Sequence, residues 1–454
     1  DPRWGDAALG IAEQIVFVPP EEATGWIENL LPIGRHLAGP LQSIFTTVSP
    51  DDRTDTQRRY VAALGLAKFL RHDPATLARL LVFHARHAPE FHGLLAPLVA
   101  ARDVALPAVG ELTASSLDKH PADPRDSGDP TRTTGVSAVD RAANGTLAEL
   151  MLGDPSVLGS RLLVGADCTL RSTLIQRFSE LGIPPPTIVA LLETEQQAEV
   201  RAAYLLAFGE YSRQTLPEKL IDRIQHELNQ SWQSGHAEEH AAAEWLATRW
   251  NMADAVRRDA PHTGERDWCT TRDGRWLVIV RNRFDYDFAL SATEVTVAQY
   301  RIFNPDYETG YPDVLAQFLD REQRDACPAI FVSCYDAMQY CNWLSRREGM
   351  DESECCYEEV GDGTFRAKPN HVRLSGYRLP VVEEWKSACS AGSTTQFSFG
   401  DNLLLLPNYA WYFSNSRSDG QHRARPVGKM KPNALGLSDM HGNAWEWVTR
   451  FDSP

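Results

Sequence analysis

Through the first 260 residues, apolar side chains recur at the three- and four-residue spacing that keeps one face of an α-helix buried. Tyr60, Ala63, Leu64 and Ala67 form one such face, and Leu77, Leu80, Leu81 and His84 form another. The longest is Val200, Ala203, Tyr204, Ala207 and Phe208, at positions i, i+3, i+4, i+7 and i+8. Proline and glycine punctuate these segments at Pro74, Pro89, Pro107, Gly182 and the run Pro184-Pro185-Pro186. Short helices with alanine-rich faces and tight turns predict a HEAT-like array without a strict period, each helix pair burying its face on the next. The stretch 113–135 breaks the pattern with Ser, Asp, Thr and the prolines Pro121, Pro124 and Pro130. It holds too little apolar surface to offset its ordering entropy. A polar linker or loop is therefore expected there, between helical halves at 1–112 and 136–260. In 240–250, Ala242, Trp245, Leu246 and Trp250 share one side, either as a docking face for the next domain or as packing among the helices.

Beyond Pro261 the period changes. Trp276-Leu-Val-Ile-Val280 has the β-branched content of a buried strand. Ala292-Thr-Glu-Val-Thr-Val297 leads into a further element, 336–347 reads as a helix carrying Met338, Cys341, Trp343 and Leu344, and 381–389 as another. The remainder is short strands in long loops, dense in aromatics: Trp385, Phe397, Phe399, Tyr409, Trp411, Tyr412, Phe413, Trp445 and Trp447. The fold expected is multidomain, an all-α repeat region followed by an α+β domain over 268–454.

Composition narrows the function classes. At 454 residues the chain exceeds one ordinary core, so two or three domains are expected. The 43% hydrophobic and 23% charged residues describe a soluble globular protein. No apolar run approaches the ~20 residues that span a bilayer, and no signal peptide opens the sequence, which together predict a cytoplasmic protein without a membrane span. A net charge of −16 argues against nucleic acid as the main partner, since phosphate backbones need a cationic surface. The eight cysteines follow no disulfide framework. Cys355 and Cys356 are adjacent, and Cys327, Cys334 and Cys341 recur every seven residues without a C-x-x-C pair. They read as reduced thiols packed as small hydrophobes.

Chemistry-bearing motifs are few. No phosphate-binding glycine loop, dinucleotide fingerprint, nucleophile elbow or kinase catalytic triplet is present. His236-Ala-Glu-Glu-His240 places two histidines at i, i+4, a spacing that can hold a metal on a helix. It lacks the H-E-x-x-H order, and Glu238 and Glu239 suit a solvated helix start. The turn 439–446 places carboxylates at Asp439 and Glu446 around Gly442, a residue that permits a sharp bend. Acid oxygens with main-chain carbonyls suit Ca²⁺; a salt bridge of Glu446 within the core is the alternative.

Four blocks in order carry a resemblance: Ala292-Thr-Glu-Val-Thr-Val-Ala-Gln-Tyr300; Pro328-Ala-Ile-Phe-Val-Ser-Cys-Tyr-Asp-Ala-Met-Gln-Tyr-Cys-Asn-Trp-Leu344; Gly376-Tyr-Arg-Leu-Pro380; and Asn433-Ala-Leu-Gly-Leu-Ser-Asp-Met-His-Gly-Asn-Ala-Trp-Glu-Trp447. Together they resemble the formylglycine-generating (sulfatase-modifying factor) domain, a relative of the C-type lectin fold. The sequence departs from that pattern where Val381-Val382 replaces Thr-Glu, where Cys334 stands for a tryptophan, and where Arg281-Asn-Arg-Phe284 runs straight into Asp285-Tyr-Asp-Phe288. The last departure marks either a lost glycine-rich loop or omitted residues, with omission favoured.

The resemblance implies Ca²⁺ held by the side chains of Asp439 and Glu446 and the carbonyls of Gly442 and Ala444, with a weaker second site at Asn408 and Asp419. It implies that oxidase members hold copper on two cysteines five positions apart beyond the Trp-Glu-Trp block; none of the eight cysteines matches them, and Cys341 and Cys389 read as core. Iron-dependent sulfoxide synthases, which join a histidine-bearing helical bundle to this same fold, are a remoter resemblance. Helical repeats before such a domain also resemble the C-terminal half of planctomycete-type bacterial serine/threonine kinases, implying a kinase upstream. The expected function is a non-catalytic binding or sensor module of a bacterial signalling protein, taking a protein or peptide partner in an aromatic pocket at Trp411, Trp445 and Trp447. The alternatives are a copper-dependent formylglycine-generating oxidase and a diversified lectin-like receptor.

Overall fold

The computed structural model describes residues 3–48, 53–119, 136–254, 256, 266–272, 274–281, 283–310, 312–418 and 420–450. Contacts divide the chain into two compact units, one of 1–163, 169–191 and 401–403, the other of 164–168, 192–400 and 404–454.

The first unit is helical throughout its main elements, as the periodicity predicts. Helix Arg53–Phe69 lies against helices Gly34–Thr47 and Ala88–Ala100 and so buries more than one stripe. Its fully buried residues are Arg59, Val61, Ala62, Ala63, Gly65 and Leu66, while the expected Tyr60, Leu64 and Ala67 are only half-buried. Leu77, Leu80 and Leu81 are buried as expected.

Helix Arg102–Lys119 continues seven residues into the stretch expected to be a linker. The polar residues that signalled a loop are satisfied inside it: Thr113 and Ser116 donate to the carbonyls one turn back, of Val109 at 2.7 Å and Leu112 at 2.8 Å. Thr113 is buried against Gly145 of helix Ala138–Met151, where a Cβ would lie 2.0 Å from the Thr113 hydroxyl. The rest of that stretch, 120–135, lies outside the described residues.

Buried arginines join helices that are separated in sequence. Arg59 meets Glu90 through two bonds, at 2.8 and 3.0 Å, and donates to the carbonyl of His84 at 2.7 Å. Arg177 pairs with Asp140 at 2.9 Å. Such pairs add little net stability, but loss of one partner strands the other and costs about 3–5 kcal/mol.

In the second unit, helix Ala198–Phe208 is buried on every side from Val200 to Phe208. The apolar stripe is therefore only half of its buried surface, the other half being Ala202, Leu205 and Leu206. Arg201 ties it to helices Glu218–Trp232 and Ala237–Arg249 through Glu227 at 3.1 Å, Ser231 at 3.0 Å and Glu239 at 2.6 Å.

These helices share their packing with the α+β part of the same unit. Trp245 donates to the carbonyl of Lys429 at 3.1 Å, a contact with the α+β part, one of the two roles open to it from sequence. Trp250 instead bonds Tyr211 at 3.2 Å among the helices. Lys431, 2% exposed, pairs with Glu210 at 2.5 Å. Gly436, at φ +87°, sits where a Cβ would approach the Ala237 carbonyl to 2.7 Å. His240 stacks on Trp268 at 3.9 Å and bonds the Trp232 carbonyl, and burial lowers its pKa to about 4. His236 is exposed at the helix start, so the two histidines do not form a metal pair.

The α+β part is built on an antiparallel sheet, β1 (Trp268–Thr270), β2 (Trp276–Val280) and β3 (Phe288–Ser291), with β2 central. Val280 pairs with Phe288, so β2 and β3 join across 281–287 despite the missing glycine-rich stretch. Helices Val297–Phe303 and Cys334–Arg347 start with capping boxes from Thr296/Gln299 and Ser333/Asp336. Helix Val382–Ser390 has a valine where a hydroxyl would cap, and Glu384 takes over by accepting the Val381 N–H at 2.8 Å while holding Arg378 in two bonds.

The buried Lys431–Glu210 pair gives a test of this shared packing. Glu210→Gln should lower the unit's stability by about 3 kcal/mol, because a buried ammonium loses its counter-charge. The combined Glu210→Gln, Lys431→Met chain should recover most of that loss. Denaturant unfolding followed by tryptophan fluorescence measures both; an unchanged midpoint for Glu210→Gln would show the pair to be dispensable.

Candidate functional site

The segment 433–447 has almost no regular secondary structure, so side chains satisfy its backbone. Asn433 accepts from the N–H groups of Leu435 and Leu437 and donates to the Ala388 carbonyl. Asn443 does the same for Arg425, accepting from its N–H at 2.8 Å and donating to its carbonyl at 3.1 Å. The bend falls on Asp439 and Asn443, at φ +62° and +69°, a region that Asn and Asp enter more readily than other side chains. Gly442 serves differently from the bend expected of it: its φ is not positive, and a Cβ there would lie 2.0 Å from the Trp411 carbonyl oxygen.

Three acids converge at this turn. Asp439 is 1% exposed; its Oδ2 accepts from Gly428 N–H at 2.6 Å, and its Oδ1 has no hydrogen-bond partner. Burial raises its pKa to about 6. Glu294, which sequence reasoning left out of the site, has a buried Oε1 equally without a partner. Burial first, then the charges of Asp439 and Glu446, hold its carboxyl well above the usual range. Its signal was the lone acid in the Thr-Glu-Val-Thr-Val block. Glu446 accepts from Trp385 Nε1 at 3.1 Å and forms no salt bridge among the described residues.

Unpaired buried carboxylate oxygens repel one another and are the donor chemistry that a hard divalent cation takes. Among the described residues no group of three or more His, Cys, Asp or Glu side chains is placed to bind a metal on its own. A cation here would therefore need main-chain oxygens beside the acids, as the set Asp439, Gly442, Ala444 and Glu446 provides. The Gly442 carbonyl already accepts one bond, from Ala444 N–H at 3.0 Å, and retains a second lone pair. Of the weaker pair, Asn408 bonds Lys431 N–H through its carbonyl at 2.8 Å, and Asp419 lies outside the described residues.

The same turn brings Cys389, His441 and Ser398 together. His441 Nε2 accepts from Ser398 N–H at 3.2 Å, which places the imidazole proton on Nδ1, 3.6 Å from Cys389 Sγ. The ring thus donates toward the sulfur and cannot take its proton at that nitrogen. Burial lowers the His441 pKa to about 4 and raises the Cys389 thiol to about 11. Cys389, read as core, is instead half-buried against the core cluster that includes Ala388 and Met440, and all eight cysteines are free thiols.

Trp411, Trp445 and Trp447 line one cleft of about 730 Å³ with Phe318, Phe331 and Phe413. Trp445 is 103% exposed and Phe413 75%. Trp447 is anchored by its Nε1 to the Val332 carbonyl at 2.9 Å. Phe331 is held at φ +58°, a conformation costly for a bulky residue and one that clusters at ligand sites. Phe331 lies inside the Pro-Ala-Ile-Phe-Val-Ser block, where nothing in the residue pattern distinguishes an exposed phenylalanine from a core one.

The C-terminal residues that hold this turn and cleft are similar to known proteins. Residues 278–454 match the family described as Sulfatase-modifying factor enzyme 1-like domain. A Paenibacillus barcinonensis protein named Chaperone protein LppX is 28% identical over 193 residues, 37% of this chain and 65% of its own length. The Formylglycine-generating enzyme of Mycobacterium tuberculosis is 30% identical over 191 residues, 36% of this chain and 63% of its own. The Inactive C-alpha-formylglycine-generating enzyme 2 of Mus musculus is 27% identical over 133 residues, 28% of this chain and 33% of its own. The chain thus spans less than two thirds of these relatives. No solved structure matches it. The C-terminal part of the chain is a formylglycine-generating-enzyme-like domain, preceded by a helical region. No helix among the described residues is long and apolar enough to cross a membrane.

The close approach of Gly442 to Trp411 sets a steric test. Gly442→Ala should destabilise the turn by about 1–3 kcal/mol, since backbone, not a flexible side chain, must move. Thermal melting of the variant checks this, and an unchanged melting temperature would show that the contact yields freely.

Proposed function

We propose that the C-terminal domain is a polypeptide-recognition module, its aromatic cleft taking an extended segment of a protein partner. The observation that carries this is the exposed aromatic set Trp445, Trp447, Phe413 and Phe331 around one cleft. Soluble proteins seldom leave so much contiguous apolar surface in water without a partner for it. Large, rigid rings supply contact area at low conformational cost, which is why they dominate the energetic centres of interfaces. The helical repeats before it supply further docking surface, in keeping with a module of a larger bacterial signalling protein.

The second reading, a formylglycine-generating oxidase, is favoured by the names of several matched relatives. In such an enzyme copper on two cysteine thiolates would supply the oxidation of a substrate cysteine. None of the eight cysteines of this sequence stands five positions from another, so the pair that would hold the copper is not among them.

Panning a random peptide phage library on the chain tests the leading reading. Enriched peptides should carry aromatic or branched residues and should bind Trp445→Ala at least tenfold more weakly, while the melting temperature stays unchanged because the ring is solvent-exposed. Failure to enrich any sequence, or equal binding by Trp445→Ala, would overturn it. Conversion of a cysteine peptide to the aldehyde with copper and oxygen would put the oxidase in its place.

The turn at Asp439 is read as a Ca²⁺ site held by Asp439, Glu446 and the carbonyls of Gly442 and Ala444, with Glu294 beside it. Support comes from the orphaned oxygens of Asp439 and Glu294 and their raised pKa values. A carboxyl with a raised folded pKa stabilises below its unfolded pKa, and that stability is lost as pH rises through the folded value. At neutral pH the acids are therefore destabilising unless a cation neutralises them. At pH 7.5, Ca²⁺ at a hundredfold excess over its Kd should stabilise the fold by about 2.7 kcal/mol. The gain should shrink toward pH 5 as Asp439 takes up a proton, and it should vanish in Asp439→Asn. A Ca²⁺-independent melting temperature at pH 7.5 would remove the site.

A further inference from the structure

A second cleft of about 470 Å³ lies in the same unit, lined in part by Trp411, where residues 426–431 face the helix Ala237–Arg249. Its lining holds four cations, Arg249, Arg425, Lys429 and Lys431, against a single carboxylate, Glu210. In a chain of net charge −16, that local excess of positive charge runs against the whole.

Three of the four cations are held by the fold. Lys431, 2% exposed, is held by Glu210 and lies 5.8 Å from the ring centres of Trp245 and Tyr409. Arg249 donates through Nε to the Gly209 carbonyl, with its guanidinium 5.3 Å from Trp245. Arg425 pairs with Asp320 at 2.8 Å and lies 5.3 Å from the ring of Trp411. Lys429 is exposed, and its backbone carbonyl is pinned by Trp245. Two buried donors at this wall, Arg425 Nε and Trp411 Nε1, have no hydrogen-bond acceptor. A buried donor left unanswered costs about 1–3 kcal/mol, so the site gains from any ligand that brings acceptors.

Fixed ammonium and guanidinium groups around acceptor-hungry donors favour a compact, multiply charged anion, and guanidinium geometry matches phosphate best. The indoles of Trp245 and Trp411 give the remaining volume an apolar lining for a carbon skeleton. We infer that this cleft binds a small phosphate-bearing organic anion, at a site other than the aromatic cleft, with which it shares Trp411. The inference stands independently of the polypeptide-recognition reading.

Titration calorimetry of the full chain with inorganic pyrophosphate, at fixed ionic strength and with chelator present, tests it. Saturable binding at one site is expected. Lys429→Glu should weaken it at least tenfold without shifting the melting temperature, since that side chain is exposed. If Lys429→Glu melts differently, Arg249→Gln provides the same comparison from the opposite wall. Absence of saturable heat up to 10 mM pyrophosphate (roughly the ceiling for a site of ~3 kcal/mol), or unweakened binding by the well-folded variant, would overturn the proposal.

Discussion

A folded chain must find partners for every buried backbone N–H and C=O, and in this domain regular secondary structure supplies few of them. Beyond helix Val382–Ser390 the described residues form only a 3₁₀ turn, the four-residue helix Leu406–Tyr409 and two-residue strands. Side chains fill the deficit. Asn415 bridges Tyr412 and Ala410, Arg423 gathers the carbonyls of Ala316, Gln317 and Leu319, and Asn433 and Asn443 each close a loop on itself or on a neighbour. Both clefts and the acid turn are consequences. Loops held by side-chain amides keep a fixed shape without a sheet, and so can present exposed rings on one side and fixed cations on the other.

The same requirement explains the division of labour among charges. In the helical parts, Arg59, Arg177 and Arg201 each meet carboxylates in two-sided contact, and these charges specify which helices meet. At the turn of Asp439 and Glu294 the acids face one another, and no basic side chain pairs with either among the described residues. Buried like charges persist in folds only where something else compensates them. One arrangement is structural and complete within the chain; the other has electrostatic capacity left over.

Much of the architecture was legible in residue spacing. Period 3.6 marked the helices, β-branched density marked β2, and the Ser/Thr-x-x-acid/amide starts of helices Val297–Phe303 and Cys334–Arg347 are written at Thr296 and Ser333. What escaped was whatever depends on how many neighbours surround an element. Helix Ala198–Phe208 carries one apolar stripe yet is buried all round, and Thr113 and Ser116 read as loop because a pattern does not show that Gly145 lets another helix close over them. Glu294 and Asp439 lie 145 positions apart, a separation only the fold removes. The tryptophans of the cleft were legible as a dense aromatic block, whereas Phe331 and Phe318 were not, because exposure is a property of the surroundings.

Trp411 shows most directly why site chemistry had to wait for the structure. Its carbonyl forces glycine at 442, its N–H is left without an acceptor, its ring underlies Arg425, and it lines both clefts. No residue pattern assigns four roles to one side chain. The two clefts share this residue and differ in chemistry, one lined by exposed rings and the other by cations, so each selects through its own groups. A ligand whose binding depends on exposed rings loses nothing when Lys429 is reversed in charge, and an anion held by lysine and arginine loses nothing when Trp445 is truncated.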